Sequence, residues 1–129
     1  MDIQKNNFKK TERLNSHTII EKLFAGGNKS IPAFPVRIVY MPVEDENAPT
    51  VSILISVPKK RFKRAVKRNQ VKRQIREAYR KNKHALINAL EAKGMKMVMA
   101  FIWLDNKIYT TAEVEERVVR LLNLTTEKL

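Results

Sequence analysis

Cysteine is absent from the chain, which excludes disulfide staples, thiolate metal sites and cysteine nucleophiles together. Glycine occurs only 3 times and proline 5 times, too sparsely for a collagenous or low-complexity sequence. Nowhere do about eighteen apolar residues run together, so no segment has the length and composition of a transmembrane helix. Met1 to Lys10 is polar and lysine-rich with no apolar stretch behind it, unlike a secretory signal. These absences point to the cytoplasm. Acids are the other scarcity, since 13 Asp plus Glu stand against 26 Lys plus Arg, a formal net charge of +13.

What is present suits one folded unit. Hydrophobic residues make up 43% of 129 positions, enough for a single core and a single domain. The charge is unevenly placed. Pro58 to Lys83 holds 13 of the 26 basic residues and one acid, Glu77, so nearly all of the net charge comes from that stretch. A near-neutral body with one basic device attracts polyanions, nucleic acid first and an anionic membrane surface second.

Along the chain, residues 1–13 read as a flexible basic lead-in and residues 14–125 as one domain. Thr18 and Glu21 have capping-box spacing, and Ile19, Ile20, Leu23 and Phe24 have helical spacing before a stop at Gly26 and Gly27. Phe34 to Met41 alternates as a strand, with Phe34, Val36, Ile38 and Tyr40 on one face and Arg37 and Val39 on the other. Pro35 and Pro42 suggest that it lies at an edge. Glu44 to Pro49 reads as a loop and Val51 to Val57 as a second strand, expected to pair antiparallel with the first.

Beyond Pro58 the apolar period lengthens. Val71, Ile75, Ala78, Tyr79, Leu86, Ala89 and Leu90 form one stripe, and Asn69, Lys72, Arg73, Arg76, Arg80 and Lys83 fall opposite it. One long amphipathic helix is expected, ending at Lys93 and Gly94. Lys96 to Trp103 reads as a third strand, and Thr110 with Glu113 as a second capping box opening a helix through Val114, Val118, Leu121 and Leu122. The predicted order is helix, strand, strand, helix, strand, helix. The fold class is α+β, a small, mostly antiparallel sheet packed with helices.

Lys72, Arg76, Arg80 and Lys83 recur at three- or four-residue steps, which aligns their heads along one ridge. Like charges so placed repel, and a polyanion relieves the repulsion. Arginine forks bind phosphate through paired hydrogen bonds, and lysine adds point charge. Lys59, Lys60 and Arg61 extend the cationic surface ahead of the helix, with Phe62 either anchoring their loop or stacking on a base. Asn69 fits a helix cap and an RNA contact equally well.

The run Ser56-Val57-Pro58-Lys59-Lys60 followed by Ala65-Val66-Lys67-Arg68-Asn69-Gln70-Val71-Lys72-Arg73-Gln74-Ile75-Arg76-Glu77-Ala78 resembles the signature of the bacterial ribonuclease P protein family. Weaker similarity at Arg13-Leu14 and Leu23-Phe24-Ala25-Gly26 extends the likeness over residues 13–105. The resemblance implies a small α-β sandwich, like that of some ribosomal proteins, whose basic helix contacts a catalytic RNA subunit. By the same resemblance, Lys59, Lys60, Arg61, Lys67, Arg68, Asn69, Lys72, Arg73, Arg76 and Arg80 bind RNA. Ile20, Phe24 and Arg37 would line a cleft for the single-stranded 5′ leader of precursor tRNA. The RNA subunit would hydrolyse the phosphodiester bond, with Mg²⁺ bound mainly by that RNA and the substrate. No protein catalytic residue, membrane or obligate protein partner is implied. Gln70 stands where the family motif usually has a second arginine. Ile20 and Arg37 replace often-aromatic positions, which shifts leader contact from stacking toward charge.

Phe24, Phe34, Tyr40, Phe101 and Trp103 lie on apolar faces and are expected in the core, and Tyr79 at the stripe's edge with its hydroxyl exposed. His17 and His84 have no acid at ligand spacing. Glu44 to Glu46 suit a loop tip, and Glu113, Glu115 and Glu116 suit a helix N-terminus, without a metal. The rival readings are another RNA-binding module such as a ribosomal protein, a DNA-binding protein, a protein-only nuclease using those acids with Mg²⁺, and a peripheral membrane protein.

Overall fold

The structure, a computed structural model, describes residues 17–26 and 28–129. The lead-in over residues 1–13 and Gly27 lie outside them. The element order is α1 (His17–Phe24), β1 (Lys29–Ala33), β2 (Val36–Val43), β3 (Val51–Ser56), α2 (Ala65–Asn82), α3 (His84–Ala92), β4 (Lys96–Trp103) and α4 (Thr111–Glu127). Thr18 falls inside the first turn of α1 and not at its cap.

The sheet runs β1-β2-β4-β3. β1 and β2 form an antiparallel hairpin, β2 pairs antiparallel with β4, and β3 pairs parallel with β4. The expected pairing of the second and third strands is therefore wrong, because β4 lies between them. The reason is hydrophobic: from Met97 to Trp103 β4 is apolar at every position. A strand without polar alternation must be covered on both faces and belongs inside the sheet. β2, with Val36 opposite Trp103 and Tyr40 opposite Met99, is likewise interior and not an edge. The edges are β3 and the short β1, where Pro32 is tolerated as edge prolines are. The parallel β3–β4 pair demands a crossover, which α2 and α3 provide.

Period-two alternation divides β4 between two cores. Met97, Met99, Phe101 and Trp103 face a large cluster with Ile38, Ile53, Val71, Ile75, Tyr79, Leu86, Leu90, Val118 and Leu121. Val98 and Ala100 face a smaller one with Val39 and Leu23, the latter brought by α1. α2, α3 and α4 thus cover one face of the sheet. On the other face α1 is the helix that packs.

The long helix divides at Lys83. Lys83 belongs to neither helix, and Ile87 N–H donates to Lys83 O at 3.1 Å, so α3 restarts from Lys83 itself. The break carries Lys83 off the cationic ridge to a buried position, 4% exposed, with its ammonium 5.9 Å from the Tyr79 ring centroid. Tyr79 is wholly buried rather than at the stripe's edge, its ring edge-on to Phe101 at 6.1 Å. Phe34 at the β1–β2 turn and Phe24 at the end of α1 also depart from the expected core, at 59% and 45% exposed. Phe34 lies between two strands and Phe24 is the last residue of α1, positions where periodicity no longer fixes the side chain's direction. Both glycine stops hold, with Gly26 at φ 97° and Gly94 at φ 66°.

The second capping box is present: Thr110 Oγ1 accepts from Glu113 N–H at 3.1 Å, and Thr110 N–H donates to Glu113 Oε1 at 3.0 Å. Thr110→Ala is expected to cost about 1 kcal/mol, read as a lower urea midpoint. The Thr110 backbone N–H, then its hydroxyl, hold the Glu113 carboxyl below its ordinary value of 4.5. Its contribution is therefore complete above that ordinary value and is lost as pH falls through the lower folded one. The stability gap between the wild type and Glu113→Ala should close on acidification. A gap that persists in acid would remove the box from the pH dependence.

Candidate nucleic-acid interface

α2 is amphipathic because Val71, Ile75, Ala78 and Tyr79 alone turn into the core. Its outer side carries Asn69, Gln70 and Arg73 exposed, with Lys72 and Arg76 half-buried along their stems, and Lys67, four residues before Val71, is exposed in the first turn. Lys67, Lys72, Arg73 and Arg76 make no ion pair among the described residues. The first turn holds no acid, and the N-cap residue Arg64 makes no side-chain cap. The helix therefore begins with open N–H groups and the positive end of its dipole amid lysine and arginine. Since α2 starts at Ala65, Asn69 lies in its second turn and is not the cap, which leaves its amide exposed.

The one acid of the helix is already engaged. Glu77 pairs with Arg80, whose Nε donates to Glu77 Oε2 at 3.0 Å. This hydrogen bond holds the Glu77 carboxyl below its ordinary range. Arg80 is thereby largely neutralised, and the free ridge ends at Arg76.

In the loop ahead of the helix, Lys59 and Lys60 are exposed and Phe62 is 6% exposed in the main core. Phe62 is thus an anchor and not a base platform. Arg61 reaches Asn106 Oδ1 at 3.5 Å. Arg68 turns back on the loop, its Nη1 donating to Phe62 O at 2.7 Å and Lys63 O at 2.9 Å. Gln74 donates to Tyr109 O at 3.0 Å, tying α2 to the segment before α4.

A second concave surface lies on the other face of the sheet. An open cleft of roughly 190 Å³ is lined by Leu23, Phe24, Gly26, Asn28, Ser30, Arg37 and Val39. It joins an exposed aromatic to an exposed guanidinium, the combination that stacks on bases and contacts phosphates. Of the three residues expected there, Phe24 and Arg37 line it. Ile20 does not: it is half-buried against the Leu23–Val39 cluster, one turn of α1 away. Asn28 and Ser30 were missed. Asn28 Nδ2 donates to both Lys22 O and Leu23 O at 2.8 Å, capping α1 and fixing the cleft wall. An asparagine just after a glycine stop is a C-cap signal that was open to reading.

Among the described residues no three His, Cys, Asp or Glu side chains converge to hold a metal ion. Asp45 accepts from Asn47 N–H, Glu113 closes the capping box, Glu115 accepts from Asn82, and Glu116 pairs with Arg117 and Arg120. Engaged in these bonds and spread over separate elements, these acids do not fit Mg²⁺. Nor is any helix among the described residues long and apolar enough to cross a membrane.

A four-stranded sheet covered by a cation-ridged helix on one face, with an aromatic and cationic cleft on the other, defines a nucleic-acid-binding α-β sandwich. The family model for Ribonuclease P matches residues 8–123, and the chain belongs to that family. The Ribonuclease P protein component of Porphyromonas gingivalis is 40% identical over 113 residues, covering 88% of this chain and 82% of the relative. The solved RNase P protein of Staphylococcus aureus has a TM-score of 0.69 at 19% identity, covering 88% of this chain and 94% of that one. That of Thermotoga maritima has a TM-score of 0.68 at 20% identity, covering 88% and 96%. These two likenesses carry the fold, and the family match carries the function: a protein component of an endoribonuclease of tRNA 5′ processing. The ribosomal-protein alternative falls away.

Proposed function

We propose that α2 and the loop before it dock on the catalytic RNA of ribonuclease P, while the cleft beside α1 receives the 5′ leader of precursor tRNA. The observation that carries this reading is the ridge of Lys72, Arg73 and Arg76, free of acids, on a helix whose other side is bound into the core. Such a ridge is costly alone and is relieved by a phosphate backbone. The cleft supports the second half, because an exposed Phe24 and Arg37 fit an unpaired strand better than a duplex. Mg²⁺ belongs in this reading to the RNA subunit and the substrate, and the cytoplasm is where they meet.

The test is cleavage of a precursor tRNA at low Mg²⁺ by a bacterial ribonuclease P RNA, with and without the protein. The protein should stimulate release of the leader. Arg37→Ala should weaken precursor binding roughly tenfold, the equivalent of one charge-assisted contact, and leave mature tRNA binding unchanged. Equal losses for the two tRNAs would remove Arg37 from the leader site. Cleavage by the protein alone would favour a protein nuclease instead.

A further inference from the structure

We propose that Arg68 is a positioning residue: it fixes the loop of residues 58–64 so that Lys59, Lys60 and Lys63 face the RNA, and it is not itself a phosphate contact of the α2 ridge. The proposal rests on the reading of α2 and this loop as the RNA face, and it assigns one residue of that face a different task from its neighbours.

Residues 59, 60, 61, 63 and 64 are all cationic. A short segment so charged repels itself and has no intrinsic reason to hold one shape. Three features hold it. Phe62 is sunk into the core. Arg61 N–H closes a turn on Pro58 O at 3.0 Å. The third is Arg68, one turn into α2, whose Nη1 donates to two consecutive carbonyls, Phe62 O and Lys63 O, at 2.7 and 2.9 Å. Those carbonyls precede the helix and receive none of its ladder bonds. A guanidinium bridging them is a charge-assisted clamp on the peptide that joins the buried Phe62 to the exposed Lys63. Lys72 and Arg76, on the same helix, make no such contact among the described residues and remain available to phosphate.

The difference shows in a double-mutant cycle on the full chain, with affinity for a bacterial ribonuclease P RNA measured at fixed salt. Lys59→Ala with Lys60→Ala should weaken binding about tenfold in the wild-type background. In an Arg68→Ala background the same pair should cost less than about twofold, because the loop is no longer presented. Lys72→Ala should cost the same in both backgrounds. Additive losses for the loop pair, with Lys72→Ala still damaging, would overturn the role of Arg68 and leave the RNA face standing. No loss from either Lys72→Ala or the loop pair would overturn that face and the proposal with it. Hydrogen exchange of the free protein gives a second reading, independent of RNA. Arg68→Ala should speed exchange at residues 59–63 and leave β4 and α4 amides at wild-type rates, which also shows that the variant is folded. Unchanged exchange in the loop would sink the proposal.

Discussion

Replacing Lys72, Arg73 and Arg76 together by alanine is expected to flatten the salt dependence of binding to ribonuclease P RNA by about 2 to 3 in the log-log slope. The figure follows from the loss of roughly 0.7 to 0.9 per phosphate contact. The three residues sit on one side of α2, and none is tied to an acid among the described residues. Each therefore releases counterions only when RNA arrives. At low salt the affinity should fall by about two orders of magnitude or more, and the variant should no longer stimulate precursor cleavage at low Mg²⁺. Folding should change little. Arg73 is exposed, and removing adjacent like charges from a helix favours the helix, which offsets the packing lost from the half-buried stems of Lys72 and Arg76. Arg80→Ala is the internal contrast. Its charge is held by Glu77, so its removal should alter the slope far less than any ridge residue. An unchanged slope in the triple variant would mean that α2 is not the binding face.

That contrast marks what the sequence could and could not convey. Helical spacing placed Lys72, Arg73, Arg76 and Arg80 on one side of a helix, and the structure keeps them there. Spacing cannot show that Glu77, one residue beyond Arg76, turns to Arg80 and closes the ridge. Nor could it show that Arg68 turns toward the preceding loop, because the carbonyls it binds lie outside the periodic segment. The burial of Lys83 is not legible from spacing because the helix breaks at that residue, between α2 and α3, and no glycine or proline announces the break. β1 is illegible for a different reason: Lys29–Ala33 holds Pro32 inside a run of only five residues, and an internal proline demotes a short run as a strand.

The pairing of the strands was recoverable in principle. The continuous apolar run of β4 required cover on both faces and so a place inside the sheet, whereas the alternation of β2 and β3 left either place open. The capping box at Thr110 is legible because its bonds are local, four residues that satisfy one another whatever the rest of the chain does. The cleft lay at the opposite extreme. It is assembled from the end of α1, the start of β1 and the middle of β2, and only the family resemblance pointed to two of its members.

Trp103→Ala is expected to have the largest effect on stability, about 3 to 5 kcal/mol, a large share of the 5 to 15 kcal/mol of an ordinary domain. Trp103 is wholly buried at the end of β4, opposite Val36 on β2 and edge-on to Tyr109 at 5.5 Å. The segment that follows it carries Asn106, which meets Arg61, and Tyr109, whose carbonyl accepts from Gln74 of α2. The indole thus supports the strand end and the segment on which the basic loop and α2 both lean. Trp103→Phe separates the two contributions of the ring. It keeps an aromatic body but deletes an N–H that is buried with no hydrogen-bond partner among the described residues. Removing an unsatisfied donor recovers part of what the smaller ring loses, so this change should cost less than about 1.5 kcal/mol. Urea unfolding is the measurement, with the midpoint falling steeply for alanine and slightly for phenylalanine at an unchanged slope. In conditions where both variants are folded, the phenylalanine protein should bind RNA as the wild type does. An alanine variant within about 1 kcal/mol of the wild type would show that the core closes over the lost ring, and that the segment from Leu104 to Thr110 is held from elsewhere.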